Sequence, residues 1–232
     1  MQDEINVIIH GFTGNKEDVE YLREYLDTRG LATHCVALAG HGGTKQELSK
    51  SSHKDWISSA QAEVAELTKT YTKVNLIGFS MGGLIGINLC TKFDTGKVVL
   101  VNTPIYFLNV QATARRIISD ILSGGRENID FYRKNAAKVS PKSSIDFIKI
   151  VLQSIKVLER ADHKCIILQC INDEIIHYKS ANYLKNKLGE NALLRYYEGG
   201  QHKIFMVEES LRDDMCEDIY LFLTGDTQKQ SS

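Results

Sequence analysis

Residues 73–84 read KVNLIGFSMGGL, and this stretch decides the fold. It begins as an apolar run typical of a buried strand, and the sequence after Ser80, MGGLIGINLC, predicts a buried helix. Gly78 and Gly82 flank Ser80 in a G-x-S-x-G spacing. A strand-to-helix turn this tight leaves no room for side chains at the two glycines, and it holds Ser80 in a strained conformation. We therefore expect the turn to present the Ser80 hydroxyl to a cleft.

Short strands and amphipathic helices alternate outward from this turn in both directions. Apolar, β-branched runs predict six strands, and the segments between them carry apolar residues three and four apart, as helices that pack on a sheet do. The predicted strands are 5–10, 32–38, 73–79, 97–102, 164–170 and 193–197, and the predicted helices are 17–29, 54–69, 81–92, 178–188 and 207–223. This order is typical of βαβ units. It predicts an α/β fold with a mostly parallel sheet of about six to seven strands flanked by helices.

One connection is too long for a simple crossover. The segment 104–160 far exceeds the ~10 to 15 residues that a crossover helix needs, and it contains helical patterns of its own, ATARRIISDILSG and SSIDFIKIVLQSIKVLERA. We expect it to be a small helical cap insertion over the carboxyl ends of the strands, where ligands bind in such sheets. The predicted domains are an α/β core (1–103 and 161–225), the cap (104–160) and a loose tail (226–232).

Composition limits the classes of partner. The 232 residues are 43% hydrophobic and 25% charged, which suits one globular domain with an insertion. The net charge of −1 provides no general field to attract nucleic acid or an anionic membrane. The sequence has neither an apolar run of the ~18 to 20 residues that a spanning helix requires nor a charged leader before INVIIH. We expect a cytoplasmic protein with no nucleic-acid partner and no membrane insertion; its oligomeric state is not predicted.

The five cysteines include no CxxC pair. Cys165 and Cys170 lie an odd number of residues apart on a predicted strand, so their side chains should point to opposite faces of the sheet. We expect reduced thiols rather than disulfides or metal ligands.

A second segment with two glycines, HGFTG at 10–14, follows the first predicted strand. If Ser80 attacks an acyl carbon, backbone N–H groups must stabilise the negative charge that develops on the acyl oxygen. The backbone N–H of Phe12, in this loop, and that of Met81, at a helix N-terminus, are the candidates for this oxyanion hole. His10 could instead act as a base, but its position before the serine on this loop favours a structural role.

Five motifs in order carry a resemblance to a known family. They are HGFTG (10–14), AGHGG (39–43), GFSMGG (78–83), NDEII (172–176) and GGQHKIF (199–205). Together they resemble the carboxylesterase and monoacylglycerol-lipase-like branch of the α/β-hydrolase superfamily, over almost the whole chain except the insertion. The chain is most similar to small bacterial carboxylesterases in which HGFTGN leads a minimal sheet without the first two strands of the full fold.

The resemblance implies a catalytic triad in the chain order serine, acid, histidine. Ser80 would be the nucleophile, Asp173 the acid after the predicted strand 164–170, and His202 the base after the strand 193–197. Glu174 is the alternative acid, and His202 could instead cap the following helix. His41 in GHGG is either a turn residue or a residue that positions the oxyanion loop.

These features predict a serine carboxylesterase that hydrolyses short- to medium-chain esters, with monoacylglycerols among the candidates, through an acyl-enzyme on Ser80. We expect a small-molecule ester as partner, and neither a metal nor an organic cofactor. The alternatives are a thioesterase or another serine acyl hydrolase, because a triad does not select the leaving group, and a non-catalytic ligand receptor on the same fold.

Overall fold

A six-stranded sheet forms the centre of the computed structural model, which describes residues 2–106, 139–161, 163–207 and 210–225. The strands are β1 (Gln2–Ile9), β2 (Thr33–Cys35), β3 (Tyr71–Phe79), β4 (Val98–Val101), β5 (Cys165–Cys170) and β6 (Ala192–Tyr197). Their order is β2-β1-β3-β4-β5-β6, and every neighbouring pair is parallel. The predicted α/β class and all six predicted strands are confirmed.

Within the described residues, six α-helices lie between these strands and a seventh follows β6. They are α1 (Glu20–Asp27), α2 (Lys45–Lys50), α3 (His53–Thr70), α4 (Met81–Cys90), α5 (Pro141–Val157), α6 (Lys179–Leu188) and α7 (Ser210–Thr224). The predicted helix 17–29 consists of a short 3-10 helix, Lys16–Val19, followed by α1. The short helix α2 was not predicted. It begins at a capping box in which Thr44 and Glu47 exchange hydrogen bonds.

The helices cover both faces of the sheet. Apolar residues of β1 alternate between the faces, with Val7 and Ile9 in one core cluster and Ile8 in the other. Helices α2 to α6 pack into the first cluster, and α1 and α7 pack into the second. Helix α4 is buried along its whole length, because it lies between the sheet, α3 and α5. A helix with no solvent face can be apolar all round, as MGGLIGINLC is.

The direction of strand addition reverses at β1. Strand β2 pairs on one side of β1 and β3 pairs on the other, so the loops that leave the carboxyl ends of β1 and β3 diverge at the same crevice. In open α/β sheets this switch point is where ligands bind. The HGFTG loop follows β1 and Ser80 follows β3, so both segments singled out in the sequence reach this crevice.

The described part of the predicted cap includes α5. This helix packs against α4 and α3, and its buried Ser154 hydroxyl lies 2.8 Å from the Asn88 side-chain nitrogen of α4. Near its first turns, the Phe147 ring lies 4.9 Å from the Phe12 ring of the HGFTG loop. The pattern ATARRIISDILSG and the tail 226–232 lie outside the described residues. The division into core and cap therefore stays a prediction.

All five cysteines lie in the described residues, where they are buried and form no disulfide. Cys165 and Cys170 belong to different core clusters, so their predicted placement on opposite faces is confirmed. Burial raises the pKa of the Cys35 thiol to about 11 and that of the Cys90 and Cys216 thiols to about 12.

Across the described parts of the chain, no helix is both long enough and apolar enough to cross a membrane.

Candidate active site

The turn at Ser80 has the geometry that its glycines predict. Ser80 lies at φ 53° and ψ −122°, a region that residues with a side chain rarely adopt. A Cβ atom at Gly78 would collide with the backbone of Gly83, and one at Gly82 would collide with the carbonyl group of Ile9. Any other residue at these two positions would therefore push α4 away from the sheet. This close packing maintains the strained backbone conformation of Ser80.

Three side chains from separate strand ends form one line of hydrogen bonds. His202 Nε2 lies 3.0 Å from Ser80 Oγ, and His202 Nδ1 lies 2.7 Å from Asp173 Oδ2. All three residues are buried. Asp173 favours the imidazole tautomer with its proton on Nδ1, which leaves the lone pair of Nε2 facing the serine hydroxyl. In this arrangement the imidazole can accept the proton of Ser80 during nucleophilic attack.

The loop after β5 fixes the Asp173 carboxylate. Its Oδ1 accepts hydrogen bonds from the backbone N–H groups of Ile175 and Ile176, at 2.8 and 2.7 Å, while Oδ2 faces His202. Glu174, the alternative acid, does not contact the imidazole ring in this way. Its Oε2 accepts a hydrogen bond of 3.0 Å from the backbone N–H of His202.

The HGFTG loop passes directly beside Ser80. A Cβ atom added to Gly11 would lie 3.1 Å from Ser80 Cβ, so the chain before Phe12 is as close to the serine as packing permits. Met81 is the first residue of α4, where backbone N–H groups have no acceptor in a preceding turn and the helix dipole favours negative charge. The two candidate oxyanion-hole residues thus lie next to Ser80: Phe12 follows Gly11, and Met81 follows Ser80 in the chain.

The two histidines of the neighbouring loops are structural in this arrangement. His10 Nδ1 lies 3.0 Å from the carbonyl oxygen of Gly11, and burial lowers the His10 pKa. His41 Nδ1 lies 3.1 Å from the carbonyl oxygen of Ala39, which fits a turn role. The His41 ring also packs 5.3 Å from the Trp56 ring and 5.4 Å from the His10 ring, so it contacts the first residue of the HGFTG loop. These contacts fit both roles that the sequence suggested for His41, a turn residue and a residue that positions the oxyanion loop.

His41 should make the stability of the protein depend on pH. Burial lowers its pKa to about 4, whereas the unfolded chain protonates near pH ~6.5. Between these values the unfolded state binds a proton that the folded state excludes, so stability is lost as the pH falls through this window. The loss should reach about 3 kcal/mol at most. His41→Phe, which keeps a ring against Trp56, should flatten the slope of unfolding free energy between about pH 7 and about pH 4.5.

The measurement is urea unfolding of both proteins at each pH. The variant loses the bond to Ala39, so only the slopes are compared, not the absolute stabilities. An unchanged slope in His41→Phe would mean that another group accounts for the acid sensitivity.

The sequence analysis did not single out Asn102, which follows β4. Asn102 is fully buried at φ 45°, and its side chain contacts both β5 and the His202 loop. The available signal was a polar residue directly after the buried run VVLV, beside the strand that leads to Ser80. Phe147 was named only as one of several aromatic residues of the insertion, and its contact with Phe12 places it at the edge of the site.

The sequence pattern of the Hydrolase_4 family, described as serine aminopeptidase, S33, matches residues 2–210. The chain belongs to this family. The match begins in β1 and extends into the first residue of α7, so the matched range includes all six strands and Ser80, Asp173 and His202.

Two relatives of this chain are bacterial proteins. A carboxylesterase of Bacillus subtilis is 26% identical, and the alignment covers 95% of this chain and 92% of that protein. A thermostable monoacylglycerol lipase of Bacillus sp. (strain H-257) is 21% identical over 73% of this chain and 70% of that protein. Together with the family match, these relatives show that the chain is an α/β-hydrolase of the carboxylesterase and lipase-like type.

Solved structures agree on the fold. A chain from work on LipS and LipT, two metagenome-derived lipolytic enzymes, superimposes with a TM-score of 0.77 over 97% of this chain and 94% of its own length. Its sequence identity is 17%, so this likeness concerns the fold alone.

Proposed function

We propose that this protein is a serine carboxylesterase that hydrolyses short- to medium-chain esters through an acyl-enzyme on Ser80. Monoacylglycerols are among the candidate substrates. The observation that supports the proposal is the unbroken line of hydrogen bonds from Asp173 through His202 to Ser80 Oγ. It lies beside a close-packed loop and a helix N-terminus that can receive negative charge.

In the first half of the reaction, His202 Nε2 takes the proton of Ser80 as Oγ bonds to the acyl carbon. The carbonyl π bond opens and its electron pair moves to the oxygen, where the Phe12 and Met81 backbone N–H groups would stabilise it. The electron pair then re-forms the carbonyl, the bond to the leaving alcohol breaks, and His202 gives its proton to the alcohol oxygen. In the second half, water repeats these steps on the acyl-enzyme and releases the carboxylic acid.

Among the described residues, the two carboxylates that contact His202 favour an ester over a peptide with a free amino terminus. An aminopeptidase needs an acceptor for the substrate's ammonium group. Of the described acidic residues that contact His202, Asp173 is engaged by the ring and two backbone N–H groups, and Glu174 is engaged by the His202 backbone. Neither has its carboxylate free to receive an ammonium group without releasing His202.

The test compares an ester with an amide in the same assay. We expect p-nitrophenyl butyrate to be turned over far faster than leucine p-nitroanilide, with a butyryl adduct visible by mass spectrometry of the intact protein. A thioester of butyrate measures the thioesterase alternative. Absence of both turnover and adduct with all three substrates would favour the ligand-receptor alternative and contradict the proposal.

We further infer that the segment 104–160 forms one wall of the acyl pocket. Phe147 supports this idea, because its ring packs against Phe12 on the loop that borders Ser80. An apolar wall at this point would lie beside the acyl carbon and contact the chain attached to it. The buried apolar residues of α5, such as Ile150, instead face the core beneath.

Chain length should therefore control the specificity constant. Each buried methylene contributes up to ~0.8 kcal/mol, so kcat/KM should rise about three- to fourfold per CH₂ and level off at short or medium chains. Phe147→Ala should reduce this increment. Leu152→Ala, on the exposed side of the same helix, is the matched control and should keep the parent profile.

The measurement is kcat/KM for p-nitrophenyl esters from acetate to palmitate with the parent and both variants. If Phe147→Ala and the parent gave the same dependence on chain length, Phe147 would have no part in acyl selection.

A further inference from the structure

The loop that carries His202 has little stiffness of its own. It contains two consecutive glycines, Gly199 and Gly200, and glycine loses more conformational freedom on ordering than any other residue. Gly199 lies at φ 92°, and a Cβ atom at Gly200 would collide with the Cys170 side chain at the end of β5. The glycines let the loop pass close to β5. Its ordering must therefore come from groups outside the loop.

Side chains from the ends of β4 and the loop after β5 supply these contacts. Asn102 Nδ2 donates a hydrogen bond of 3.0 Å to the carbonyl oxygen of His202, and Glu174 Oε2 accepts one of 3.0 Å from the His202 backbone N–H. A third bond runs from the Gly199 N–H to Asn172 Oδ1, at 3.0 Å. The peptide groups on both sides of His202 are thus held by side chains that belong to other parts of the fold.

Holding both peptide groups sets the direction of the His202 side chain. A peptide group is planar, so fixing the unit before and the unit after His202 fixes its two backbone dihedrals. The ring then needs only its contacts with Asp173 and Ser80 to complete its orientation. Without the backbone contacts, the two hydrogen bonds of the imidazole ring would alone have to keep the glycine-rich loop in this conformation.

Asn102 also links the end of β5, which leads to Asp173, with the loop that carries His202. Its Oδ1 accepts a hydrogen bond of 2.9 Å from the backbone N–H of Cys170, the last residue of β5, three positions before Asp173. Its own backbone N–H donates to the carbonyl oxygen of Leu168, at 2.9 Å. Asparagine suits this position because it tolerates positive φ better than most residues and offers both a donor and an acceptor.

We propose that Asn102 and Glu174 are positioning residues that clamp the two peptide groups of His202 and so hold its imidazole between Asp173 and Ser80. The inference rests on the proposed role of His202 as the catalytic base. Neither residue touches the reacting atoms, so the clamp should act on kcat and leave KM nearly unchanged. A misplacement of about 1 Å at a catalytic group can cost about 100-fold in rate.

Four variants test the clamp. Asn102→Asp keeps the acceptor for Cys170 and removes the donor to His202, and Asn102→Gly removes the side chain but accepts the positive φ. Glu174→Ala removes the acceptor for the His202 N–H, whereas Glu174→Gln keeps one. The control is Asn75→Asp. Asn75 is also fully buried, and its side-chain oxygen also accepts a backbone N–H, that of Lys97 directly before β4, at 2.8 Å and near the opposite end of the sheet.

With p-nitrophenyl butyrate, both Asn102 variants should lose about 10- to 100-fold in kcat with KM within about twofold. The rate of fluorophosphonate labelling should fall in parallel. Glu174→Ala should lose about 10-fold, and Glu174→Gln should recover most of that loss. Asn75→Asp should lower the thermal midpoint but keep the kcat of the folded protein within about twofold.

A readout without turnover separates this inference from the proposed function. The Nδ1 proton of His202, bonded to Asp173 across 2.7 Å, should give a far-downfield proton resonance that is absent in Asp173→Asn. It should broaden or disappear in Asn102→Gly and persist in Asn75→Asp. If the parent shows no activity, the esterase proposal is wrong, but the resonance can still be compared between the parent and the variants. The clamp would be wrong if folded Asn102→Gly and Glu174→Ala kept the resonance of the parent or, with an active parent, its kcat; should Asn102→Asp not fold, these two variants decide.

Discussion

Replacing Ser80 with alanine is expected to lower kcat by about 10⁶-fold and to abolish labelling by a fluorophosphonate. Ser80 Oγ is the hydroxyl that lies 3.0 Å from His202 Nε2, on a turn that close packing holds in a strained conformation. Removing Oγ takes away the atom that would bond to the acyl carbon and the hydrogen-bond partner of His202 Nε2. The measurement is kcat with p-nitrophenyl butyrate together with the mass of the labelled protein.

The control for this experiment is Ser154→Ala. Ser154 is buried like Ser80, but its hydroxyl bonds within the contact between α4 and α5. This variant should keep both labelling and turnover. Full labelling of Ser80→Ala would show that another residue is the nucleophile and would refute the proposed role of Ser80.

Asp173→Asn is expected to lower kcat by about 10⁴-fold, because it should impose the wrong tautomer on His202. The backbone N–H groups of Ile175 and Ile176 hold one oxygen of the Asp173 carboxylate. In the variant they should hold the amide oxygen there, so the NH₂ group faces His202 Nδ1. The ring must then accept at Nδ1 and carry its proton on Nε2, where it cannot take the proton of Ser80.

The chain offers a second buried histidine–aspartate pair as a matched control. His53 Nδ1 lies 2.8 Å from Asp146 Oδ1, between α3 and α5. Asp146→Asn changes the same chemical group in a similar pair that does not contact Ser80, and it should lower stability while keeping kcat within about threefold. Equal losses of activity in both variants would mean that Asp173 acts through stability and not through the tautomer.

The positions of the strands could be predicted because each is an apolar run between turn signals, but their lengths could not. The run 32–38 forms only the strand Thr33–Cys35, because β2 lies at the edge of the sheet and pairs with three residues of β1. Pairing depends on a neighbour that is distant in sequence, and a local pattern does not contain it. The helix α2 was missed because KQELSK has little apolar periodicity, although Thr44 and Glu47 have the spacing of a capping box.

Some residues of the candidate site could likewise be predicted from the sequence, and others could not. Ser80, Asp173 and His202 could be selected because each follows a strand in a recognisable motif and the order of the motifs resembles a known family. Asn102 could not be selected on such grounds, since its significance depends on hydrogen bonds to residues distant in sequence, among them the backbone carbonyl of His202, one hundred residues further along the chain. The choice between Asp173 and Glu174 likewise depends on where two adjacent carboxylates point, which motif spacing does not determine.

The buried cysteines have a practical consequence for studying this fold in solution. A thiol reacts with an alkylating reagent as its thiolate and only where the reagent can reach it, so the raised pKa values and the burial together protect these side chains in the folded state. Cys35 lies on the edge strand, Cys90 at the end of the central helix, and Cys216 on the last helix. Alkylation of each would therefore record the opening of a different part of the molecule, and the native sequence supplies these reporters without any engineered label.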